Sequence, residues 1–201
     1  MDAPLPTIDE LQRHLPACMC ADRLWAEARL ADARERVARR QPIERTLAEV
    51  VARIAPSLAE AARRGTLPLV LAYPEQLPVS ARRDDILDTI RDHRVFILTG
   101  ETGSGKTTQL PKLLLESGLG RRGLIALTQP RRVAALAMAA RIRAETSAAE
   151  GVIAHSVRFD DHATADTLVR VMTDGLLLAE AAKDPWLSRY EAVIVDEAHE
   201  R

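Results

Sequence analysis

Residues 95–107 read VFILTGETGSGKT, a short apolar run followed by a glycine-rich loop that ends in Lys-Thr. Residues 100–107 match the phosphate-binding pattern G-x-x-x-x-G-K-[ST] at every fixed position. The apolar run predicts a strand at residues 95–99, and the residues from Thr107 onward have the character of a helix. A strand, a glycine-rich turn and a helix in this order are the setting in which such a loop binds a nucleotide.

The chemistry of this loop assigns roles to its residues. Glycine lets the backbone curl so that successive N–H groups face phosphate oxygens, and the helix N-terminus adds partial positive charge. Lys106 is predicted to bind the β- and γ-phosphates, and the Thr107 hydroxyl to ligate Mg²⁺. The sequence therefore predicts ATP or another NTP with Mg²⁺ as cofactors, held by residues of the loop and the first helical turn: Gly100, Glu101, Thr102, Gly103, Ser104, Gly105, Lys106, Thr107 and Thr108.

A second chemical feature comes near the end of the sequence. Residues 192–195 predict a buried strand, and Asp196 and Glu197 follow it directly. Because α/β sheets place ligands at the carboxyl ends of strands, the two carboxylates are expected to form the metal end of the site. Asp196 would bind the Mg²⁺ shared with Thr107, and Glu197 would polarise the attacking water. By themselves, two carboxylates fit the start of a helix equally well. The phosphate loop earlier in the chain favours the metal site.

The spacing of apolar residues predicts a helical N-terminal region at residues 1–65, a proline-rich connector at 66–80 and an α/β region at 81–201. One helix of the first region is expected to bury Leu47, Val50, Val51, Ile54, Leu58 and Ala62, to kink or restart at Pro56, and to stop at Gly65. In the last region, apolar runs without alternation predict strands buried on both faces and therefore a parallel sheet. These runs are residues 95–99, 124–128, 168–172 and 192–195.

Composition narrows the class of protein. With 47% apolar residues the chain can form a packed core, and its net charge of −1 means that any nucleic-acid surface must be local. The N-terminus lacks a signal-peptide pattern, and no run of about 18 apolar residues predicts a membrane span, so the expected compartment is the cytoplasm. Cys18 and Cys20 are expected to be reduced thiols, although His14 could join them as a metal ligand.

Four motifs occur in a fixed order: GETGSGKTTQ at 100–109, TQPRRVA at 128–134, MTDGLLL at 172–178 and DEAHER at 196–201. Together they resemble motifs I, Ia, Ib and II of the DEAH-box ATP-dependent RNA helicases, most closely the bacterial HrpA type. The resemblance covers roughly residues 77–201. It implies a P-loop (RecA-like) fold and NTP hydrolysis coupled to 3′ to 5′ movement on single-stranded RNA, with unwinding or remodelling of RNA or RNA–protein complexes.

The resemblance also implies roles for individual residues. Arg141 would stack on the nucleotide base, and His199 would link the nucleotide state to a neighbouring domain. A group of residues would contact RNA, although Phe159 could equally belong to the core: Arg131, Arg132, Arg158, Phe159, Thr173 and Asp174. Guanidinium groups can bind phosphate oxygens in pairs, and a hydroxyl at a strand end can reach a phosphate.

The family pattern extends beyond the motifs quoted. In the family, a strand with the sequence Ser-Ala-Thr and then a second RecA-like domain follow these motifs. In the family's sheet, the Ser-Ala-Thr strand lies between two others: the strand before Gly100 and the strand before Asp196. We therefore expect an incomplete sheet with two unpaired interior edges, and a chain that is poorly stable and does not turn over nucleotide by itself. The alternatives are a DNA helicase or a remodeller of RNA–protein complexes, or a nucleotide-binding module without turnover that docks a protein partner through residues 1–65.

Overall fold

The computed structural model describes residues 5–198. The chain divides between Thr66 and Leu67 into two compact units. Among residues 5–198, no helix combines the length and the apolar character needed to cross a bilayer.

The N-terminal unit is helical. Its elements are α1 Ile8–His14, a 3₁₀ turn Leu15–Ala17, α2 Cys20–Ala38 and α3 Glu44–Gly65. Helix α1 begins in a capping box, since the Thr7 hydroxyl accepts a hydrogen bond from the Glu10 N–H and the Glu10 carboxylate accepts one from the Thr7 N–H. Apolar side chains of all three helices form one buried cluster: Leu11, Leu15, Ala26, Leu30, Leu47, Val50 and Ile54.

Helix α3 tests the predictions for the N-terminal region. Leu47, Val50 and Ile54 are buried as expected, and Val51 and Leu58 are partly buried. The expected Ala62 is exposed, and the buried positions after Pro56 are Ser57, Ala61 and Arg64. The predicted restart at Pro56 is wrong, because α3 continues through it to Gly65. Proline removes one backbone N–H, and the buried neighbours Ile54 and Ser57 hold the helix on both sides of it. The predicted end at Gly65 is confirmed. Cys18 and Cys20 are both buried and are not joined in a disulfide.

The second unit alternates helices with strands. Its helices are α4 Pro78–Ala81, α5 Arg83–Asp92, α6 Lys106–Glu116, α7 Arg132–Thr146 and α8 Asp174–Lys183. Its strands are β1 Leu124–Gln129, β2 Ile153–Val157, β3 Asp160–Asp161, β4 Val169–Thr173 and β5 Tyr190–Val195. They form one sheet in the order β3-β2-β4-β1-β5, in which every pairing is parallel except β2 with β3. The predicted parallel α/β sheet is therefore confirmed.

The central strands are buried on both faces. Every residue of β1 is buried, and Ile125 and Leu127 pack with Val169 and Val171 of β4 and with Ile142 of α7. Strand β1 is thus an interior strand between β4 and β5, where a run without polar alternation is expected.

A buried arginine joins β4 to its neighbours. The side chain of Arg170 donates hydrogen bonds to Ser156 on β2, Asp161 on β3, Glu180 on α8 and the hydroxyl of Tyr190 on β5. Burial and the hydrogen bond to Glu180 raise the pKa of Tyr190 to about 12. Burial raises the pKa of Asp161, but hydrogen bonds from Ser156 and Ala163 and the charge of Arg170 outweigh it, so the pKa is lowered. One cation thereby satisfies polar groups from four elements.

The strand predicted at residues 95–99 does not form. Residues 96–100 have no regular secondary structure, and the side chains of Val95 and Ile97 are 86% and 88% exposed. Among the described residues, no strand pairs with the outer edge of β5, where Val193 and Val195 are exposed. A strand needs a hydrogen-bonded neighbour. The Ser-Ala-Thr strand, which was expected between residues 95–99 and β5, is not among the described residues. Of the two expected unpaired edges, the described residues show one, at β5, because residues 95–99 form no strand. The predicted burial of residues 192–195 on both faces is wrong, since Val193 and Val195 are exposed at this edge.

Candidate nucleotide and nucleic-acid site

The glycine-rich loop turns sharply into α6. Gly103 and Gly105 adopt left-handed backbone angles, with φ of 82° and 92°, and Gly105 is the N-cap of the helix. The φ of Gly105 favours glycine, and a Cβ there would also meet the Leu77 side chain at 3.0 Å, a tight contact. The loop is tightened by a hydrogen bond of 3.2 Å from the Ser104 N–H to the Glu101 carbonyl.

The ammonium group of Lys106 lies within this loop. Its Nζ donates to the carbonyl oxygens of Gly100 and Glu101, at 2.6 and 2.8 Å, and approaches the Ser104 hydroxyl at 3.4 Å. Lys106 and the loop are both predicted to bind the phosphates, and the loop encloses the Lys106 ammonium group. Thr107 follows in the first turn of α6 and is partly buried. Thr108 is buried, and its hydroxyl donates to the Gly105 carbonyl at 3.3 Å.

Glu145 connects the loop helix to Arg141. On α7, its carboxylate accepts hydrogen bonds from Gln109, Lys112 and Arg141, at 3.0, 2.9 and 3.0 Å. Lys112 is completely buried and also donates to the Ala72 carbonyl. Burial raises the pKa of Glu145, but these three hydrogen bonds outweigh it, so the pKa is lowered. The carboxylate therefore stays ionised and fixes Arg141, whose side chain remains exposed.

Asp196 is held by the neighbouring strand. The side-chain amide of Gln129, the last residue of β1, donates to Oδ2 of Asp196 at 2.6 Å. The register explains this contact, because Thr128 pairs with Val195 and the next residue of each strand lies at the same edge. Asp196 is partly buried, and Glu197 is exposed with φ of 48°. His199 lies outside the described residues.

The residues predicted to contact nucleic acid lie at the same edge of the sheet. Arg131 is the N-cap of α7 after β1, and Thr173 is the N-cap of α8 after β4, so Arg132 and Asp174 begin those two helices. Arg158 and Phe159 form the turn after β2. Strands β2, β4 and β1 are parallel neighbours, so their carboxyl ends bring all these positions to one edge.

The turn after β2 shows whether Phe159 belongs to the core, the alternative to an RNA contact. Its side chain is 93% exposed, so it does not belong to the core. The Arg158 guanidinium carbon lies 4.9 Å from the centre of the Phe159 ring, a cation–π contact. Arg131 and Arg132 are also exposed, and both guanidinium groups are accessible to a ligand.

The sequence patterns identify the motifs but not Gln129 and Glu145, the residues that hold motif side chains in position. Gln129 belongs to the quoted TQPRRVA segment, and its position before Arg131 at a strand end could have indicated its role. Glu145 follows Arg141 by four residues, a helical spacing that predicts an ion pair but not the contact with Lys112. The loop itself is positioned by α6, which packs on β1 and α7, since residues 95–99 are not in the sheet.

Comparison with known proteins agrees with this geometry. The profile of the family described as Flavivirus DEAD domain matches residues 90–200, more than half of the chain. The ATP-dependent RNA helicase HrpA of Escherichia coli K12 is 46% identical over 200 residues, which are 97% of this chain and 15% of that protein. The HrpA homolog of Haemophilus influenzae is 48% identical over 140 residues, 69% of this chain and 11% of that protein.

A similar relative occurs in a eukaryote. The human ATP-dependent RNA helicase DHX33 is 46% identical over 142 residues, which cover 67% of this chain and 20% of that protein. The chain therefore spans between 11% and 20% of the length of these three relatives.

Proposed function

We propose that this chain, which belongs to the DEAH-box family of helicases, supplies the ATP-binding part of an ATP-dependent RNA helicase. The observation that carries the proposal is the Lys106 ammonium enclosed by a glycine loop at the start of α6. A fixed positive charge beside a helix N-terminus is the arrangement that binds the β- and γ-phosphates of a nucleotide.

Mg²⁺ fits the oxygen groups that this chain offers. The Thr107 hydroxyl and the Asp196 carboxylate are the hard ligands that this cation prefers. Gln129 uses Oδ2 of Asp196, so we assign the other oxygen, Oδ1, to the cation, directly or through water. Bound Mg²⁺ would neutralise charge on the phosphates. Glu197 would orient and deprotonate the attacking water, and His199 would report the nucleotide state to a neighbouring domain.

The edge formed by the ends of β2, β4 and β1 is our candidate RNA surface. Arg131, Arg132 and Arg158 would bind phosphates, and the Thr173 hydroxyl would add a further contact beside Asp174. Phe159 offers an exposed ring for stacking on a base. Because aromatic residues make up only 3% of the chain, most of the binding free energy would come from the sugar–phosphate backbone, with little preference for sequence.

Coupling between the two sites would pass through the carboxyl edge of β1. Gln129 contacts Asp196 on one side and is separated from Arg131 by one residue on the other. A shift of Arg131 on RNA would therefore move a group that holds the metal-binding carboxylate. In the complete helicase, this link would connect NTP hydrolysis to 3′ to 5′ movement along single-stranded RNA.

The choice of RNA over DNA can be tested by fluorescence anisotropy. Labelled single strands of RNA and DNA with the same sequence are titrated with the chain in the presence and absence of ATP and Mg²⁺. We expect tighter binding to RNA, because the 2′-hydroxyl is the group that distinguishes the two polymers. Equal or tighter binding to DNA would support the DNA-helicase alternative instead.

Nucleotide binding without turnover is our second proposal, for the chain by itself. The segment before the loop, residues 95–99, is not held by the sheet, so the loop is positioned only from the side of α6. Phosphate release is measured with and without single-stranded RNA, with Lys106→Ala as the control. Turnover no higher than in the control supports this proposal, whereas RNA-stimulated release that vanishes in Lys106→Ala contradicts it.

A further inference from the structure

The hairpin formed by β2 and β3 gathers three metal-ligating side chains outside the nucleotide site. Val157 pairs with Asp160 and Ser156 with Asp161, so His155 and His162 are the next opposing pair. The His162 N–H donates to the His155 carbonyl at 3.1 Å. Because side chains alternate along a strand, Asp160 and His162 share a face with His155. The two histidines and one carboxylate therefore come together directly behind the turn.

The ligand atoms of these three residues lie close together. One potential ligand atom from each of His155, Asp160 and His162 lies within 4.8 Å of the other two. Asp160 is the common neighbour, with Oδ1 2.9 Å from Nε2 of His162 and Oδ2 3.4 Å from Nε2 of His155. Ligand atoms in a tetrahedral zinc site are separated by about 3.3 Å, as follows from zinc–nitrogen distances near 2.0–2.1 Å. A small rotation of His162, whose side chain is 59% exposed, would close the remaining separation.

His155 supplies an independent indication of a ligand. Its Nε2 is buried and forms no hydrogen bond within the part of the chain that the structure describes, since the 3.4 Å approach of Asp160 is not aligned as one. A buried polar atom without a partner costs free energy, and a metal ion would satisfy it. The two imidazole rings also lie with their centres 4.4 Å apart, so the rings are direct neighbours on this face of the hairpin.

The opposite face of the hairpin is already fixed. Asp161, between Asp160 and His162, accepts hydrogen bonds from Ser156 and from the buried Arg170. The backbone of β3 is therefore anchored with Asp160 on the other face, toward His155. The fold therefore holds His155 and Asp160 in position. Only the side chain of His162 must rotate for all three residues to bind one ion.

We propose that His155, Asp160 and His162 bind a divalent transition-metal ion of the Zn²⁺ class. Two imidazoles and one carboxylate suit Zn²⁺ and disfavour Mg²⁺, which prefers oxygen ligands. Water would fill the open fourth position, because the histidine face of the hairpin is partly exposed. This site is separate from the Mg²⁺ that we assign to Thr107 and Asp196.

Metal binding would stiffen the turn that carries Arg158 and Phe159. The ion would bridge β2 and β3 on either side of this two-residue turn, in which Phe159 has a left-handed φ of 66°. An ion that joins β2 and β3 next to the turn would reduce the conformational freedom of the turn. It would hold the exposed side chains of Arg158 and Phe159 in one orientation. The metal site stands on its own geometry, so it does not depend on whether this turn contacts RNA.

The test is a titration of the chain with Co²⁺, monitored by visible absorption and checked by Zn²⁺ competition. Excess Mg²⁺ occupies oxygen-ligand sites throughout. We expect one equivalent to bind in the wild-type chain, and at least about tenfold weaker binding in His162→Gln and Asp160→Asn, since each removes one of three ligands. His93→Gln is the matched control, because His93 is an exposed histidine at the end of α5. Circular dichroism checks the folding of each variant.

A second readout reports the hairpin itself. Trypsin cleaves after arginine, and the exposed bond between Arg158 and Phe159 is a substrate. We expect Zn²⁺ to slow this cleavage several-fold in the wild type and in His93→Gln, but not in His162→Gln. Absence of saturable metal binding would overturn the proposal, as would unchanged affinity in His162→Gln. A sulfur-to-cobalt charge-transfer band would assign the ion to Cys18 and Cys20 and would also overturn it.

Discussion

The side-chain amide of Gln129 donates a 2.6 Å hydrogen bond to Oδ2 of Asp196. The two residues are 67 positions apart in sequence and are brought together because β1 and β5 are parallel neighbours. A neutral amide can orient a carboxylate without adding a charge of its own beside the proposed cation site. The contact therefore joins the last residue of β1, two positions before Arg131, to the proposed metal ligand.

Gln129→Leu should weaken Mg²⁺-dependent ATP binding by about tenfold, the usual effect of removing a group that orients a metal ligand. Leucine has a similar size but cannot donate a hydrogen bond to Asp196. The measurement is a titration with a fluorescent ATP analogue at fixed Mg²⁺. Gln76→Leu, at an exposed position before α4, is the matched control and should have no effect. Equal affinities for the two variants would show that Gln129 does not position Asp196.

Arg170→Met should lower the free energy of unfolding by about 3 kcal/mol, because it removes the buried cation that donates hydrogen bonds to Glu180 and Asp161. Arg170 is only 4% exposed, so water cannot replace it easily. Urea denaturation followed by circular dichroism gives the value. Arg189→Met, at an exposed arginine before β5, should change it by less than about 0.5 kcal/mol. A loss in Arg170→Met as small as in Arg189→Met would contradict this account.

Glu145→Gln should reduce the dependence of stability on pH in the acid range. The pKa of Glu145 is lowered in the folded state, so its contribution is complete above the unfolded value near 4.3. That contribution is lost as pH falls through the lowered folded value. Unfolding free energies of the wild type and Glu145→Gln are compared from pH 6 to about pH 3. We expect the wild type to lose more stability below about pH 5. Parallel curves would mean that Lys112, Arg141 and Gln109 do not stabilise the ionised form.

Arg131→Ala and Arg132→Ala should each weaken RNA binding similarly for different sequences, because the proposed contacts are to phosphates. Each variant should also reduce the slope of log K against log salt by about 1. The measurement is anisotropy of a labelled single-stranded RNA across a salt series. Arg189→Ala, an exposed arginine outside the proposed surface, controls for the loss of one positive charge. An unchanged salt slope in both variants would remove these arginines from the RNA surface.

Predictions from the sequence were most accurate for the helices and strands that a single local pattern identifies. The apolar runs at 124–128, 168–172 and 192–195 correspond to β1, β4 and β5. In β1 and β4 the lack of polar alternation reflects burial on both faces, whereas β5 is an edge strand in which Val193 and Val195 are exposed. Helix α6 begins at Lys106, as expected from a glycine loop that must end in a helix. These elements could be predicted because one short segment carries each signal and because β1, β4 and β5 find their neighbours in the same sheet.

The prediction failed where structure depends on a distant partner. Residues 95–99 have the composition of a strand, but a strand forms only beside a hydrogen-bonded neighbour. The pairing of Gln129 with Asp196 and of Lys112 with Glu145 likewise depends on sheet order and helix packing. Cross-strand register brings His155 beside His162, and no single segment of the sequence reveals it.

Binding of a fluorescent ATP analogue to wild-type, Lys106→Ala and Lys183→Ala chains tests the proposed nucleotide site most directly. Lys183 is an exposed lysine at the end of α8, so its variant removes the same charge without touching the loop. We predict saturable, Mg²⁺-dependent binding to the wild type and to Lys183→Ala, and loss of at least about tenfold in affinity in Lys106→Ala. Absence of binding to the wild type, or equal binding to all three chains, would contradict the assignment of residues 100–107 as a nucleotide site.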